Sequence, residues 1–321
     1  MNETLAVAPA PDPAVVAEIL AGLGGAQKTL PAKLFYDAEG CELFNRITRL
    51  PEYYVTRAEM ALLDRHAAAI AATAPAGAAL VEYGAADESK ALRLIDAAPG
   101  RFGAYVPVDI APGALLAIGE RMRQSHPALP VQAVEADFLQ PLALPAVAAG
   151  RPAFGFFPGS TIGNFRPDTV LRFLSQARDT LSSGEGGPAC FVIGTDLRKS
   201  PDRLLPAYDD AAGVTAAFNL NILRHVNRLA DGTLDPEGFA HRAVWNSHEG
   251  RMEMHLVSRA AQEARVAGTL VRFRAGESIH TEDSYKHTRE GFVALAARAG
   301  WRPAGFWTDE DELFGMHLLL G

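Results

Sequence analysis

The chain has 321 residues, 48% of them apolar and 21% charged, and a formal charge of −8. That length fills one large or two modest cores, and the acidic balance gives no basic footprint for nucleic acid. Two cysteines, Cys41 and Cys190, cannot build a disulfide framework or a zinc cluster. No apolar run is long enough to cross a bilayer, and the first residues lack the basic start of a secretory leader, so a soluble cytoplasmic protein is expected.

The text becomes helical at Pro13 (PAVVAEILAGL), and Gly24-Gly25 stop it. Residues 39–49 predict a second helix with Leu43, Phe44 and Ile47 on one face, ended by Pro51. Thr56 with Glu59 three positions on has the pattern of a capping box, opening a third helix through Met60, Leu63 and Ile70. The aromatic pair Tyr53-Tyr54 between these helices reads as a hydrophobic plug or as one wall of a pocket.

Residues 78–109 organise the rest of the chain. They predict an apolar strand (79–83), a turn at Gly84, a helix (86–98) and a second strand (105–108) ending in Asp109. Strand, tight turn, helix, strand and acid form the opening half of a nucleotide-binding α/β sheet, although the full G-x-G-x-x-G pattern is missing. A helix (111–125), a strand (131–136) followed by Asp137-Phe138, a strand (154–157) running into PGSTIGNF, a helix (167–181) and a strand (189–194) continue the alternation. Five strands joined by crossovers predict an α/β fold with a mostly parallel sheet. Residues 202–229 then read as helix broken near Gly213, and residues 241–274 as strands, with Met252, Met254 and Leu256 alternating against Glu253 and His255. A final helix and strand return to the sheet, which makes residues 197–286 an insertion.

Ligands of such sheets lie beyond the carboxyl ends of the strands. There Asp109 suits ribose hydroxyls, and Asp137 with Phe138 suits an adenine amine and ring. Lys90 can face a ligand carboxylate or simply water. Asn164 can donate and accept at once, which suits a small zwitterion; the alternative is that it caps the next helix. Glu282 and Ser284 are two apart and share a face of an extended segment, where they can hold a cation or an imidazole, or cap the helix that follows. The scattered histidines show no strong metal spacing, and G-x-S-x-G is absent.

Long blocks carry a more specific signal: KLFYDAEGCELFNRITRLPEYYVTRAE, YVPVDI, FFPGSTIGNF, AYDDAAGVTAAFNLNIL, MEMHLVSRA and GESIHTEDSYKH. Together they resemble the L-histidine Nα-methyltransferases of ergothioneine biosynthesis, from about Pro31 to Leu320. The resemblance implies a Rossmann-like S-adenosylmethionine-dependent methyltransferase sheet (residues 61–196 plus 287–321) and a second α+β substrate-binding domain (13–60 plus 197–286). It implies a monomeric enzyme that makes hercynine from L-histidine and S-adenosylmethionine without a metal. Tyr53, Gly84, Lys90, Asp109, Asp137 and Phe138 would contact the methyl donor. Tyr36, Asn164, Tyr208, Met254, Glu282 and Ser284 would line the histidine pocket, with Tyr36 as the catalytic candidate. One departure stands out: Gly84 to Lys90 reads GAADESK, so Ala86 occupies a place the family gives to glycine, and two acids follow. The alternatives are a methyltransferase for another amino acid or small amine, a non-catalytic small-molecule sensor, and a dinucleotide oxidoreductase.

Overall fold

A computed structural model describes residues 12–184 and 188–321. Numbered in chain order, the elements begin with α1 (Pro13–Leu23), β1 (Lys28–Thr29), α2 (Ala38–Ile47) and α3 (Tyr54–Ala71). Next come β2 (Ala78–Tyr83), α4 (Ser89–Ala97), β3 (Phe102–Asp109), α5 (Pro112–Ser125), β4 (Val134–Glu135), β5 (Ala153–Phe157), α6 (Pro167–Ser182) and β6 (Cys190–Asp196). The chain continues through α7 (Pro201–Tyr208), α8 (Val214–Ala230), β7 (Phe239–Asn246), β8 (Arg251–Ser258), β9 (Gln262–Val266) and β10 (Thr269–Phe273). It closes with β11 (Ser278–Tyr285), α9 (Arg289–Arg298), β12 (Arg302–Thr308) and β13 (Phe314–Leu320). Among the described residues no helix is long and apolar enough to cross a membrane.

Two compact units emerge, each discontinuous in sequence: Met1–Tyr53 with Ser200–Asp283, and Tyr54–Lys199 with Ser284–Gly321. The boundary read from sequence at 60/61 falls inside α3, a single continuous helix, whereas the contact boundary falls at its first residue.

The second unit holds a seven-stranded sheet in the order β12-β13-β6-β5-β2-β3-β4. Strands β2 to β6 pair in parallel. Strands β2, β5 and β6 are buried along their whole length, as their near-continuous apolar text requires of strands covered on both faces. Strand order reverses between β2 and its neighbours β3 and β5, so the carboxyl ends there open a crevice. The core includes Tyr83, Phe157, Phe173, Phe191 and Trp301, and the Trp301 indole donates to the Leu174 carbonyl at 2.8 Å.

Three sequence expectations are corrected by the fold. The last strand does return to the sheet, but β13 runs antiparallel to β6 and to β12. Strand β12 (RPAGFWT) escapes a sequence reading because Pro303 and Gly305 interrupt it, and the pairing shifts register between them. Thr56 does not cap α3, which starts two residues earlier.

The first unit is built on a four-stranded sheet, β1-β11-β8-β7, with a β9–β10 hairpin. Its hub is Asn219 on α8, fully buried. The Asn219 amide nitrogen lies 2.8 Å from His241 Nδ1 on β7 and donates to the His255 carbonyl on β8 at 3.1 Å. Its oxygen accepts from the Thr281 hydroxyl on β11 at 2.7 Å. One side chain thus binds a helix to three strands.

Candidate active site

In the second unit the chain turns sharply back after β2. Gly84 sits at φ +72°, in the left-handed region that glycine enters without strain. The amides of Gly84 and Ala85 both donate to the Val108 carbonyl at the end of β3. Asp109 comes next, half-buried, and accepts from the Ala111 amide at 2.8 Å. Burial raises its pKa, opposed by the Ala111 and Ile110 amides. Asp137, beyond β4, is exposed and accepts from the Leu139 amide at 2.9 Å. Phe138 lies edge-on to Phe157, with ring centroids 5.4 Å apart, so part of its ring belongs to the aromatic core.

The acids of GAADESK are accounted for locally. Asp87 accepts from the Ser89 amide at the start of α4. Glu88 is buried and takes two hydrogen bonds from the Arg121 guanidinium of α5, at 2.5 and 2.6 Å. This fork matches the second acid with a cation.

Lys90 has a partner that sequence reading missed. Glu59 of α3 is fully buried and spans two loops. One oxygen accepts from the Gly159 amide at 2.6 Å, and the other lies 2.7 Å from the Lys90 ammonium. Glu59 therefore anchors the turn after β2 to the PGSTIGN loop after β5. Burial lowers the Lys90 pKa, but Glu59 outweighs it and leaves the net shift upward. The only sequence signal for Glu59 was its place in the apparent capping box.

The PGSTIGN loop is tight. Ser160 stands at φ 56°, ψ 21°, an uncommon conformation for a residue with a side chain, and its hydroxyl accepts from the Asp196 amide at 2.8 Å. A Cβ on Gly163 would come within 2.8 Å of the Tyr285 carbonyl, so only glycine lets the loop lie against that backbone. Asn164 ends the short helix in this loop and is half-buried. The cap position of α6 is Arg166, not Asn164, and Thr288 caps α9 through the Gly291 amide.

Under this loop lies a buried charge network. Asp196, at the end of β6, is fully buried and faces Lys199 at 2.5 Å and Lys286 at 2.7 Å. Tyr54 donates to the same carboxylate at 2.8 Å, so the tyrosine read as part of a hydrophobic plug is a buried polar anchor. Lys286 also donates to the Ser284 hydroxyl at 2.8 Å. Burial alone would raise the Asp196 pKa, yet the two lysines hold it below the usual carboxylate range.

In the first unit, Tyr36 lies within electrostatic reach of Glu282, Tyr53 and Tyr208. Tyr36 is 40% exposed as a residue, yet desolvation raises its pKa well above that of a free phenol, and the nearby Glu282, Tyr53 and Tyr208 push it further. Its ring edge packs on Phe44 at 5.9 Å, and Phe44 meets Tyr53 at 6.4 Å. Tyr208 ends α7, and its carbonyl lies 2.8 Å from His241 Nε2. Met254 is buried on β8, and its carbonyl lies 3.0 Å from the hydroxyl of Thr281, the neighbour of Glu282.

Strand pairing also collects histidines that sequence spacing kept apart. One ligand-type atom from each of Glu253, His255 and His280 falls within 4.8 Å of the others. Arg251 pairs with Glu253 at 2.8 Å and with the neighbouring Asp283 at 3.0 Å, so both carboxylates already carry a cation.

The strand order, the glycine turn after the first sheet strand and the acids beyond the next two define a Rossmann-like, S-adenosylmethionine-dependent methyltransferase. These residues suit the methyl donor: an open turn, a half-buried carboxylate for ribose, and an acid beside an aromatic for adenine. More narrowly, the chain belongs to the histidine-specific, SAM-dependent methyltransferases, whose family pattern it matches over residues 15–320. It is 44% identical over 306 residues to a histidine N-alpha-methyltransferase of Mycolicibacterium smegmatis, a match covering 94% of this chain and 93% of that protein. Identity is 39% over 306 residues to the histidine N-alpha-methyltransferase of Mycobacterium tuberculosis, with the same coverage of 94% and 93%. It is 28% over 306 residues to a 4-dimethylallyltryptophan N-methyltransferase of Trichophyton verrucosum, covering 91% of this chain and 89% of that protein.

Proposed function

We propose that the chain transfers three methyl groups in succession to the α-amino nitrogen of L-histidine, giving the betaine hercynine. Supporting this is the electrostatic influence of Glu282, Tyr53 and Tyr208 on Tyr36, in a chain so similar to histidine N-alpha-methyltransferases. Residues 13–60 with 197–286 serve as the substrate-binding domain and residues 61–196 with 287–321 as the methyltransferase domain, in a protein acting as a monomer. Tyr53, Gly84, Lys90, Asp109, Asp137 and Phe138 hold the methyl donor; Asn164 and Tyr208 hold the substrate carboxylate; Glu282 and Ser284 hold the imidazole; Met254 gives an apolar wall for the growing methylammonium.

S-Adenosylmethionine supplies a methyl on a sulfonium that is already a good leaving group. The residues therefore have to place a neutral amine about 3 Å from that carbon, in line with the breaking bond. Enclosure that offers the amine no carboxylate partner disfavours its ammonium form. A raised pKa favours the phenol form of Tyr36, which orients the amine through its hydroxyl or relays its proton through water.

Mass spectrometry of the purified protein with S-adenosylmethionine and each amino acid in turn tests the reading. Histidine should gain three methyl groups while the others stay nearly inert. A different preferred amino acid would preserve the cofactor assignment and overturn the roles of Glu282 and Ser284. Cofactor binding with no turnover on any amino acid would leave a sensor. Within the pocket, Glu282→Ala should weaken histidine binding at least tenfold while leaving the cofactor dissociation constant within about twofold in titration calorimetry. Equal loss of both would remove Glu282 from the imidazole.

A further inference from the structure

We propose that Glu59 is a positioning residue for the methyl donor: it holds the Lys90 ammonium over the exits of β2 and β5, where Lys90 receives the carboxylate at the donor's amino-acid end. The inference rests on the placing of Lys90, Asp109 and Asp137 at the donor above, and adds the buried group that aims the lysine.

Sheet order sets where each part of the donor falls. Strands β4, β3, β2 and β5 lie side by side, about 4.8 Å apart. Asp137 stands beyond β4 and Asp109 ends β3, so adenine and ribose take that side of the crevice. The base and the sulfonium leave the ribose from opposite ends, at C1′ and C5′. The amino-acid arm therefore runs the other way, over β2 toward β5. There β2 and β5 pair in parallel, at the reversal of strand order where ligands of such sheets bind. Lys90, second residue of α4, and Gly159, two residues past β5, stand at those two exits.

Glu59 joins them. It is fully buried, takes the Gly159 amide on one oxygen at 2.6 Å, and has the Lys90 ammonium 2.7 Å from the other. The fold leaves room for it: a Cβ on Gly194 of β6 would come within 3.1 Å of Glu59 Oε1 and 2.8 Å of the Phe314 ring. Gly159 itself stands at φ +80°, and a Cβ there would lie 3.4 Å from Lys90 Nζ. Lysine carries its charge on a flexible four-carbon stem, so a carboxylate pinned by a backbone amide limits where that charge can go. An ammonium has three protons, and one faces Glu59. Among the described residues no second acceptor is paired with Lys90, and its side chain keeps 22% exposure, so two protons are left for solvent or a ligand. The other acids within reach do not compete for it. Burial pushes Glu82 up to about 8, against the bond from the Tyr105 hydroxyl, so it is largely uncharged at neutral pH. Asp87 is engaged by the Ser89 amide.

The test is titration calorimetry with S-adenosylmethionine and with its decarboxylated form, which keeps adenosine, sulfonium and amine and lacks only the carboxylate. The wild type should bind the decarboxylated form about tenfold more weakly, the worth of one charge-assisted contact. In Glu59→Gln an NH2 group faces either the Gly159 amide or the Lys90 ammonium, whichever way the side chain lies. E59Q should therefore weaken S-adenosylmethionine about tenfold and leave the decarboxylated form within about twofold. Lys90→Met should show the same selective loss, and adding E59Q to K90M should cost less than about twofold more. If E59Q fails to fold, Glu59→Asp, which keeps the charge and shortens its reach, carries the same comparison with a smaller selective loss. A purely structural Glu59 would weaken both ligands alike in E59Q or E59D, and that result would overturn the proposal. Equal binding of the two ligands by the wild type would also overturn it, while leaving the methyltransferase reading in place. A wild type that binds neither would overturn the placing of the donor and this inference together.

Discussion

The two units solve the same problem, holding polar groups in a dry interior, in opposite ways. The second unit does it with charge: Asp196 between Lys199 and Lys286, and Glu59 against Lys90. The fully buried hub of the first unit is a neutral amide, Asn219, shared among three strands, while its Arg251, Glu253 and Asp283 charges keep some exposure. A buried charged cluster is costly to break, because removing one partner strands the others without solvent. Removing a neutral hub strands only neutral partners, a smaller penalty than a stranded charge. The charged cluster also sits at strand ends, where ligands of such sheets bind, so its electrostatics reach the chemistry. The Asn219 hub acts through geometry alone.

The contrast is sharpened by breaking each side. Asp196→Asn should be the most damaging change, because it leaves Lys199 and Lys286 buried without a counter-charge; a loss of about 3–5 kcal/mol is expected, read as a fall in the urea midpoint. Should D196N unfold at the wild-type midpoint, the network would be incidental to stability. Acid comes next. Burial pushes His317 down to about 3 and His287 to about 4. The unfolded chain, with histidines near pKa ~6.5, binds protons first as pH falls, so stability is lost from about pH 6.5 downward. By pH ~5 each imidazole should cost about 2 kcal/mol, visible in urea midpoints compared between neutral and acid buffer. In the first unit the stacked pair His255 and His280 shifts in opposite directions, downward by burial for one and, against burial, upward through Asp283 for the other, so their contributions have opposite signs. Asn219→Ala should cost about 1–3 kcal/mol, less than D196N; a larger loss than D196N would invert the comparison. Arg121→Gln should be the mildest, about 1 kcal/mol or less, because half of the arginine is exposed, and its effect should instead show as weaker cofactor binding once Glu88 loses its partner.

The parallel core was legible because both faces of β2, β5 and β6 are covered, and that demand writes itself as unbroken apolar text. Crossover helices α5 and α6 were legible by their period. Strand β4 was not: residues 131–136 pair with β3 in only two residues plus an isolated bridge at Val131, since it is an edge with one neighbour. The ligand-facing acids could be read at strand ends, where topology puts ligands. Their supports could not. Glu59 is 100 residues from Gly159, and Tyr54 is 142 from Asp196. Such pairs have no local period, and each member alone looks like a surface charge or an apolar plug. Asn219 left a fainter trace, a polar residue beside Phe218 on the apolar side of α8.

Strand β13 carries a consequence for synthesis. It lies between β12 and β6, and Thr195 contacts Gly315 across 120 residues of chain. While the ribosome is still making residues 197–313, the β6 edge that β13 will cover carries unpaired amides and carbonyls. The sheet closes only when residues 314–320 have emerged, so the β6 edge stays uncovered while the intervening segment is made. Non-local closure of this kind is slow. Expression yield should therefore depend on how well that growing chain is shielded in the meantime.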